Sequence, residues 1–251
     1  LLPLWHEVCP ADLRCLFIDP QILADKKTVF HATLFRDDNG RYVLSYEGTD
    51  FKDHAGDVVT DVMGAGATSA QVHQAIQAAT VIKQRLMANG VTAGNFSLTG
   101  HSLGGELAAA GSIATGAKAT TFNAAGLSYT SMTLARESAI QNGFFTSNVD
   151  ARARVENYHF TTDPLTLLQR RSTLPEAYGK QIEVQASVED LNNFADLERG
   201  HGLDAMKRQY DAQNWFLYDH PQKSEQRWDA PILLPEPERP TWAPGTVPTS
   251  I

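Results

Sequence analysis

Cysteine is nearly absent: Cys9 and Cys15 are the only two in 251 residues. The chain therefore cannot rest on a disulfide framework and has to build an ordinary apolar core, for which it is long enough. The two thiols either close one small N-terminal loop or stand as two buried side chains, and no further ligands lie at the spacing of a metal cluster. No metal or cofactor is expected. Basic residues are outnumbered, 21 Lys and Arg against 29 Asp and Glu, for a net charge of −8. With no basic stripe to neutralise phosphates, nucleic acid is excluded as a partner, and no general electrostatic pull toward anionic membranes is expected. Long hydrophobic runs are missing as well. The apolar stretches are broken by Gly, Ser, Thr and charge too often to span a bilayer, so a soluble protein is expected. Opening on Leu1, the chain is expected to be a mature or excised form, so any signal sequence would be out of view and localisation stays open.

Proline is scarce until residue 219 and dense after it, with seven of the twelve in Asp219–Ile251. No helix or central strand survives that density. Trp228, Ile232, Leu233, Leu234 and Trp242 are too apolar for a solvated linker. Two parts are therefore expected, a globular domain over 1–218 and an extended proline-rich arm over 219–251 that packs on the body or leads to another domain.

Within the globular part, Asn95 to Ala110 reads NFSLTGHSLGGELAAA. Gly100-His101-Ser102-Leu103-Gly104 fits G-x-S-x-G, in which a serine sits on a sharp turn between a strand and a helix. The flanks agree. Phe96, Leu98 and Thr99 read as a strand, and Leu103 to Thr115 as a helix rich in Ala and Leu, closed by Gly116. In so tight a turn, Cβ atoms at Gly100 and Gly104 would collide with the neighbouring strand and helix, and Gly105 lets the helix lie close to the sheet.

Around this elbow the chain alternates strands and helices. Thr28–Phe35 and Arg41–Glu47 form a hairpin about the Arg36-Asp37-Asp38-Asn39-Gly40 turn. A helix capped by Ser69 carries Val72, Ile76, Ala79, Ile82 and Leu86 on one face and stops at Asn89-Gly90. Strands follow at Ala119–Phe122, Val155–Thr161 and Lys180–Ala186, with a helix at Thr130–Gln141 and a last one at Gly202–Gln213. A short helix is expected within Ala11–Phe17. The pattern gives an α/β protein of the α/β-hydrolase type, a central mostly parallel sheet flanked by helices, with a β-hairpin in the N-terminal half.

A serine hydroxyl is a poor nucleophile at neutral pH, so Ser102 needs a histidine to take its proton and a carboxylate to orient that histidine. In α/β-hydrolase order these follow as acid, then histidine. His159 lies inside a strand and His220 in the arm, whereas His201 stands in a loop between Gly200 and Gly202, able to reach over the sheet. Asp163 sits where a strand ends, and Pro164 turns the chain there. Asp150, Glu156, Asp190, Asp196 and Glu198 lack that placement. The expected triad is Ser102, Asp163 and His201. The oxyanion needs two donors: the backbone N–H of Leu103 and, from the chain leaving the Tyr46-Glu47-Gly48 strand, Thr49.

Together, Gly48-Thr49, Asp57-Val58-Val59-Thr60-Asp61, the Thr99–Gly105 elbow, Asn123 and Thr162-Asp163-Pro164 resemble the class 3 lipases over about Val29 to Met206. The resemblance implies the same triad, an oxyanion hole that includes Thr49, and a helical lid over an acyl-binding groove at Asp50 to Met63. Val58, Val59, Val62 and Met63 would form the lid's apolar face. Two positions depart from the usual pattern: Glu47 replaces an arginine often found before the glycine, and no tryptophan precedes Asp61.

The expected activity is hydrolysis of carboxylic esters of acyl lipids, phospholipid first, through an acyl-Ser102 intermediate. The substrate is an acyl lipid or ester at a membrane surface. Two alternatives are a non-catalytic lipase-like binding or scaffold protein and an esterase of small soluble esters. The arm suits a secreted or delivered bacterial effector, and it is the expected docking point for an inhibitor or immunity protein or a further domain.

Overall fold

The computed structural model describes residues 4–48, 69–145, 147–160 and 162–184. These belong to one compact unit. The expected lid, Thr49, His201, the last helix and the proline-rich arm with its boundary at 218 all lie outside the described residues.

Among the described residues eight strands form one sheet: β1 (Trp5–Glu7), β2 (Ala24–Asp25), β3 (Phe30–Asp37), β4 (Tyr42–Tyr46), β5 (Phe96–His101), β6 (Lys118–Phe122), β7 (Val155–Phe160) and β8 (Lys180–Val184). Their order is β1-β3-β4-β5-β6-β7-β8, with β2 pairing β3. Strands β4 to β8 are parallel, whereas β3 runs antiparallel to β4 and to both β1 and β2. The sheet is thus mostly parallel with an antiparallel N-terminal edge, and the expected hairpin is β3–β4. Its turn is pinned by Asp37, whose buried carboxylate accepts from the backbone N–H of Asn39 at 3.0 Å and of Arg41 at 2.8 Å, and from Arg41 Nε at 2.6 Å.

Six α-helices are described: α1 (Pro10–Cys15), α2 (Ser69–Ala88), α3 (Leu103–Thr115), α4 (Tyr129–Gln141), α5 (Asn148–Ala153) and α6 (Pro164–Arg171). Each crossover from β4 onward adds the next strand on the same side of the last. Helix α3 packs between α2 and α4 and against β5 and β6, the strands it connects. This is the α/β-hydrolase arrangement of a mostly parallel sheet with flanking helices.

The core follows the periodicities of its sequence. Helix α2 buries Val72, Ile76, Ala79, Ile82 and Leu86, and in β3 to β5 the alternate residues Phe30, Ala32, Leu34, Tyr42, Leu44, Tyr46, Phe96 and Leu98 are buried. Helix α3 is buried all round, as an apolar helix between two others must be. Its C-terminal carbonyls are met by Lys83, whose buried ammonium donates to Thr115 O and lies 4.4 Å from the Phe144 ring centre. Burial, and then the nearby Arg154 charge, pull the Lys83 pKa down.

The two cysteines depart from both expectations: each is exposed and unbridged. Six helical rises separate them by about 9 Å, beyond the Cα separation of about 7 Å that a disulfide can span. Cys9 instead caps α1, its Sγ accepting from Asp12 N at 3.5 Å. The structure also adds α5 and α6, which periodicity alone does not announce. The strands expected at Val155–Thr161 and Lys180–Ala186 are described over Val155–Phe160 and Lys180–Val184, and the last residues of each expectation lie outside the described residues. Among the described residues no helix is long and apolar enough to cross a membrane.

Candidate active site

The parallel strands end at one edge, and the chemistry-bearing residues collect there. Strand β5 runs into Ser102 and directly into α3. Ser102 has φ 55° and ψ −122°, outside the regions open to L-residues without strain. It is fully buried, and its backbone is fixed on both sides. Ser102 N donates to Phe122 O at 3.0 Å, while Ser102 O accepts from Gly105 N at 3.0 Å and from Ala125 N at 2.9 Å.

The glycines around it are places of close approach. A Cβ on Gly100 would overlap the carbonyl of Gly104, and one on Gly104 would overlap the Tyr46 carbonyl oxygen at the end of β4. A Cβ on Gly105 would come within 2.5 Å of the Ala124 Cβ. Gly48 belongs to the same knot: a Cβ there would sit 2.8 Å from His101 O and 3.7 Å from Ser102 Cβ. The chain leaving β4 therefore passes directly beside the serine. Leu103 is the first residue of α3, where an amide N–H has no acceptor within the helix.

Asp163 follows β7 and is fully buried. It is the N-cap of α6, with Pro164 at the first helical position. One carboxylate oxygen, Oδ2, accepts from both Thr166 N and Thr166 Oγ1, each at 2.7 Å. Capping thus commits one oxygen to the helix and fixes the plane in which the other lies. Between the two strand ends, Asn123 is buried at φ 42°. Its N–H donates to Tyr158 O at 2.9 Å, and its Oδ1 accepts from Phe160 N at 3.1 Å. Behind it, Thr121 Oγ1 donates to Asn157 Oδ1 at 2.9 Å, and Asn157 Nδ2 donates to Gln181 Oε1 at 2.8 Å. These polar groups tie β6, β7 and β8 together just below the edge.

His159, the competing histidine, is buried within β7. Its Nε2 lies 3.0 Å from Arg170 Nη2, which also donates to Glu183 Oε1 at 2.8 Å. Guanidinium has only donors, so Nε2 of the neutral ring is its acceptor and the ring proton resides on Nδ1. Burial first, and then the Arg170 charge, hold the His159 pKa below the usual histidine value.

Of the expected site residues, Gly100, Ser102, Leu103 and Gly104 lie together at the elbow and Asp163 lies at the end of β7, two strands away in the sheet order. His201, Thr49, Val58, Val59, Val62 and Met63 are outside the described residues. The sequence reading missed Thr166, although an Asp followed by Pro at the first helical position is a helix-start signal. It also missed Asn157, whose partners lie 36 and 24 residues away in sequence. Among the described residues no cluster of three or more His, Cys, Asp or Glu is placed to hold a metal.

Comparison with known proteins places this edge in context. An extracellular phospholipase A1 of Serratia liquefaciens is 33% identical over 199 residues, covering 74% of this chain, and the chain spans 57% of that relative's length. Among solved structures, an extracellular lipase from Serratia marcescens aligns at 15% identity with a TM-score of 0.37 over 64% of this chain and 28% of its own. A thermophilic esterase from Thermogutta terrifontis aligns at 14% identity with a TM-score of 0.33 over 72% of this chain and 71% of its own. The model of a phospholipase-like family, the Tle-like phospholipase domain, matches residues 2–215. That span takes in the elbow at Ser102, the capping aspartate after β7 and the strands that carry both, and the chain belongs to the Tle-like phospholipase domain family.

Proposed function

We propose that this protein is a serine hydrolase that cleaves the carboxylic esters of phospholipids. The observation that carries the reading is Ser102, a non-glycine residue held at φ 55° between a buried strand and a buried helix. Strain of this kind persists only where the surroundings enforce it, and it presents a hydroxyl at the helix N-terminus. The relative's name, an extracellular phospholipase A1, supports phospholipid as substrate and secretion as the route to it.

In this reading Ser102 Oγ attacks the ester carbonyl while its proton passes to His201. The N–H of Leu103, at the positive end of α3, and Thr49 meet the oxyanion. Collapse releases the alcohol, a lysophospholipid, which takes the proton from His201 and leaves an acyl-Ser102 ester. Water, deprotonated by His201, then frees the fatty acid. Asp163 holds the imidazole in the required tautomer with the oxygen that does not cap α6. His159 is unsuited to the base role because its Nε2 is engaged by Arg170. The alternative of a binding protein without turnover loses its appeal when strain is retained at Ser102, since a site freed from catalysis has no need of it.

The test combines a covalent probe with lipid profiling. A fluorophosphonate should label the parent and not Ser102→Ala, and the parent alone should release fatty acid from mixed phospholipid vesicles. Labelling without release from phospholipid, but with turnover of small aryl esters, would remove the phospholipid assignment. Absence of both would favour the binding-protein alternative.

A further inference from the structure

The loop joining β2 to β3 consists of Lys26, Lys27, Thr28 and Val29, since Asp25 pairs with Phe30 across the hairpin. Its position follows from the strand register. Ala32 is level with Tyr46, and Tyr46 is level with Gly100. Two residues further along, Phe30 comes level with Gly48 and Ser102. The loop therefore projects from the same sheet edge as Ser102, displaced sideways by two strand spacings, about 10 Å.

What it presents is unusual for a solvated turn. Val29 is 83% exposed and has φ 57°, a conformation that β-branched residues avoid. A glycine or asparagine would relieve the strain, and a polar residue would relieve the exposure. Lys26 and Lys27 beside it are exposed as well. The loop is nevertheless braced. Gln74 of α2 donates to Asp25 Oδ2 at 2.5 Å and accepts from Thr28 Oγ1 at 2.6 Å, and Lys27 N donates to Asp25 Oδ1 at 2.8 Å. The one carboxylate in the turn is thereby drawn back against its own backbone and α2. Glu47, just past the end of β4, is paired with His31 at 2.8 Å. A rigid tip with an apolar point and two cations thus stands on an otherwise acidic chain.

We propose that the Lys26–Val29 turn is where this protein docks on an anionic phospholipid bilayer, Val29 entering the interface and the two lysines meeting headgroup phosphates. The choice of surface rests on the phospholipase reading above. A protein partner fits less well, because four residues fall far short of the roughly 800 Å² per side that a stable interface buries. A bilayer accepts a small apolar tip, and each lysine near its surface adds attraction independently. Net charge −8 leaves no general pull, so the contact would be oriented: with this tip down, the edge carrying Ser102 faces lipid.

Co-sedimentation with sucrose-loaded vesicles tests this, using the full chain carrying Ser102→Ala so that no lipid is consumed. Phosphatidylcholine vesicles with and without phosphatidylglycerol are compared at low and raised salt. Replacing both lysines, K26Q with K27Q, should lower partitioning onto phosphatidylglycerol vesicles by about 30-fold and leave pure phosphatidylcholine nearly unchanged. Val29→Asn, which suits the backbone there and keeps the fold, should weaken binding to both. With Ser102 restored, all variants should hydrolyse p-nitrophenyl butyrate at the parent rate. A parent that fails to sediment with anionic vesicles, or variants that partition as the parent does, would overturn the docking proposal. Vesicle binding that depends on the turn in a protein that hydrolyses no phospholipid would sustain docking while removing the substrate assignment.

Discussion

Thr166 tests whether Asp163 acts as the orienting acid. Its hydroxyl and backbone N–H both donate to Asp163 Oδ2, each at 2.7 Å, and both residues are buried. Thr166→Val keeps the side-chain shape and the backbone N–H but removes the hydroxyl, so its charge-assisted bond to Oδ2 is lost. A hydrogen bond to a charged group contributes about 1.5–3 kcal/mol, which for a domain of this size corresponds to a fall in Tm of roughly 3–12 °C. The second effect is on geometry. Without the hydroxyl on Oδ2 the carboxylate is held less firmly, and a misplacement on the order of 1 Å in a catalytic group can cost about 100-fold in rate. Thr166 touches no substrate in the proposed mechanism, so the loss should fall on kcat with KM little changed, measured well below both melting temperatures. Thr166→Ser should restore most of the rate. A valine variant that melts early but turns over normally would show that Asp163 serves only as a helix cap. A serine variant as slow as the valine one would show that the hydroxyl is not what matters.

The remaining expectations concern stability. Gly104→Ala drives a Cβ into the Tyr46 carbonyl, with Tyr46 C at 3.0 Å and Glu47 C at 3.1 Å behind it; because the obstacle is backbone, the cost should reach about 3 kcal/mol, the upper end for overpacking, read as a lowered Tm. Val29→Asn should raise stability by about 1 kcal/mol by relieving φ 57° in a β-branched residue, a gain visible in denaturant midpoints and absent if the turn is unstrained. For Asp37, desolvation raises the pKa, but the Arg41 backbone and side chain and the Asn39 N–H together hold it below the ordinary carboxylate value. A depressed folded pKa gives stability that is present above the unfolded value near 4 and is lost as pH falls through the folded one. The gap in Tm between parent and Asp37→Asn should thus be full at neutral pH and close in acid, and a gap independent of pH would contradict the assignment.

Much of the fold can be read from the chain because its elements obey simple periods. The hairpin of β3 and β4 shows alternation and a turn rich in Asp, Asn and Gly, and α2 shows apolar steps of three and four between Ser69 and Asn89-Gly90. The elbow is legible for a stronger reason: its glycines are dictated by backbone contacts no other residue could make. What escapes the sequence is polar burial. Lys83 looks like a surface residue of an amphipathic helix until α3 is seen to end against it. Thr121, Asn157 and Gln181 look like ordinary strand polars, yet they meet across three strands because register, which no local pattern encodes, brings them level. Helix α6 hides behind Asp163-Pro164, which reads equally well as a turn. Cys9 and Cys15 mislead because the short helix expected within Ala11–Phe17 begins at Pro10 with Cys9 as its cap, and so spans the whole interval between them.

The edge also explains how strain at Ser102 is carried. Two non-glycine residues at the ends of adjacent strands, Ser102 and Asn123, have positive φ, a conformation that costs energy and persists where the surroundings enforce it. The bonds between them form a chain across the sheet: Ser102 N donates to Phe122 O, Ala125 N to Ser102 O, and Asn123 N to Tyr158 O, while Phe160 N donates to Asn123 Oδ1. The first and third carry the parallel β5–β6 and β6–β7 ladders past the last strand residues, and the other two use groups beyond the ladder, so relaxing either residue would leave buried polar groups unpaired. That penalty, about 1–3 kcal/mol for each group, is as large as the strain of about 1–3 kcal/mol per residue that relaxation would relieve. Strained geometry at the serine is therefore the cheaper state, and it is fixed from β7, the strand that also delivers Asp163. The element that would orient the base and the one that would present the nucleophile are thus coupled through Asn123 rather than positioned independently.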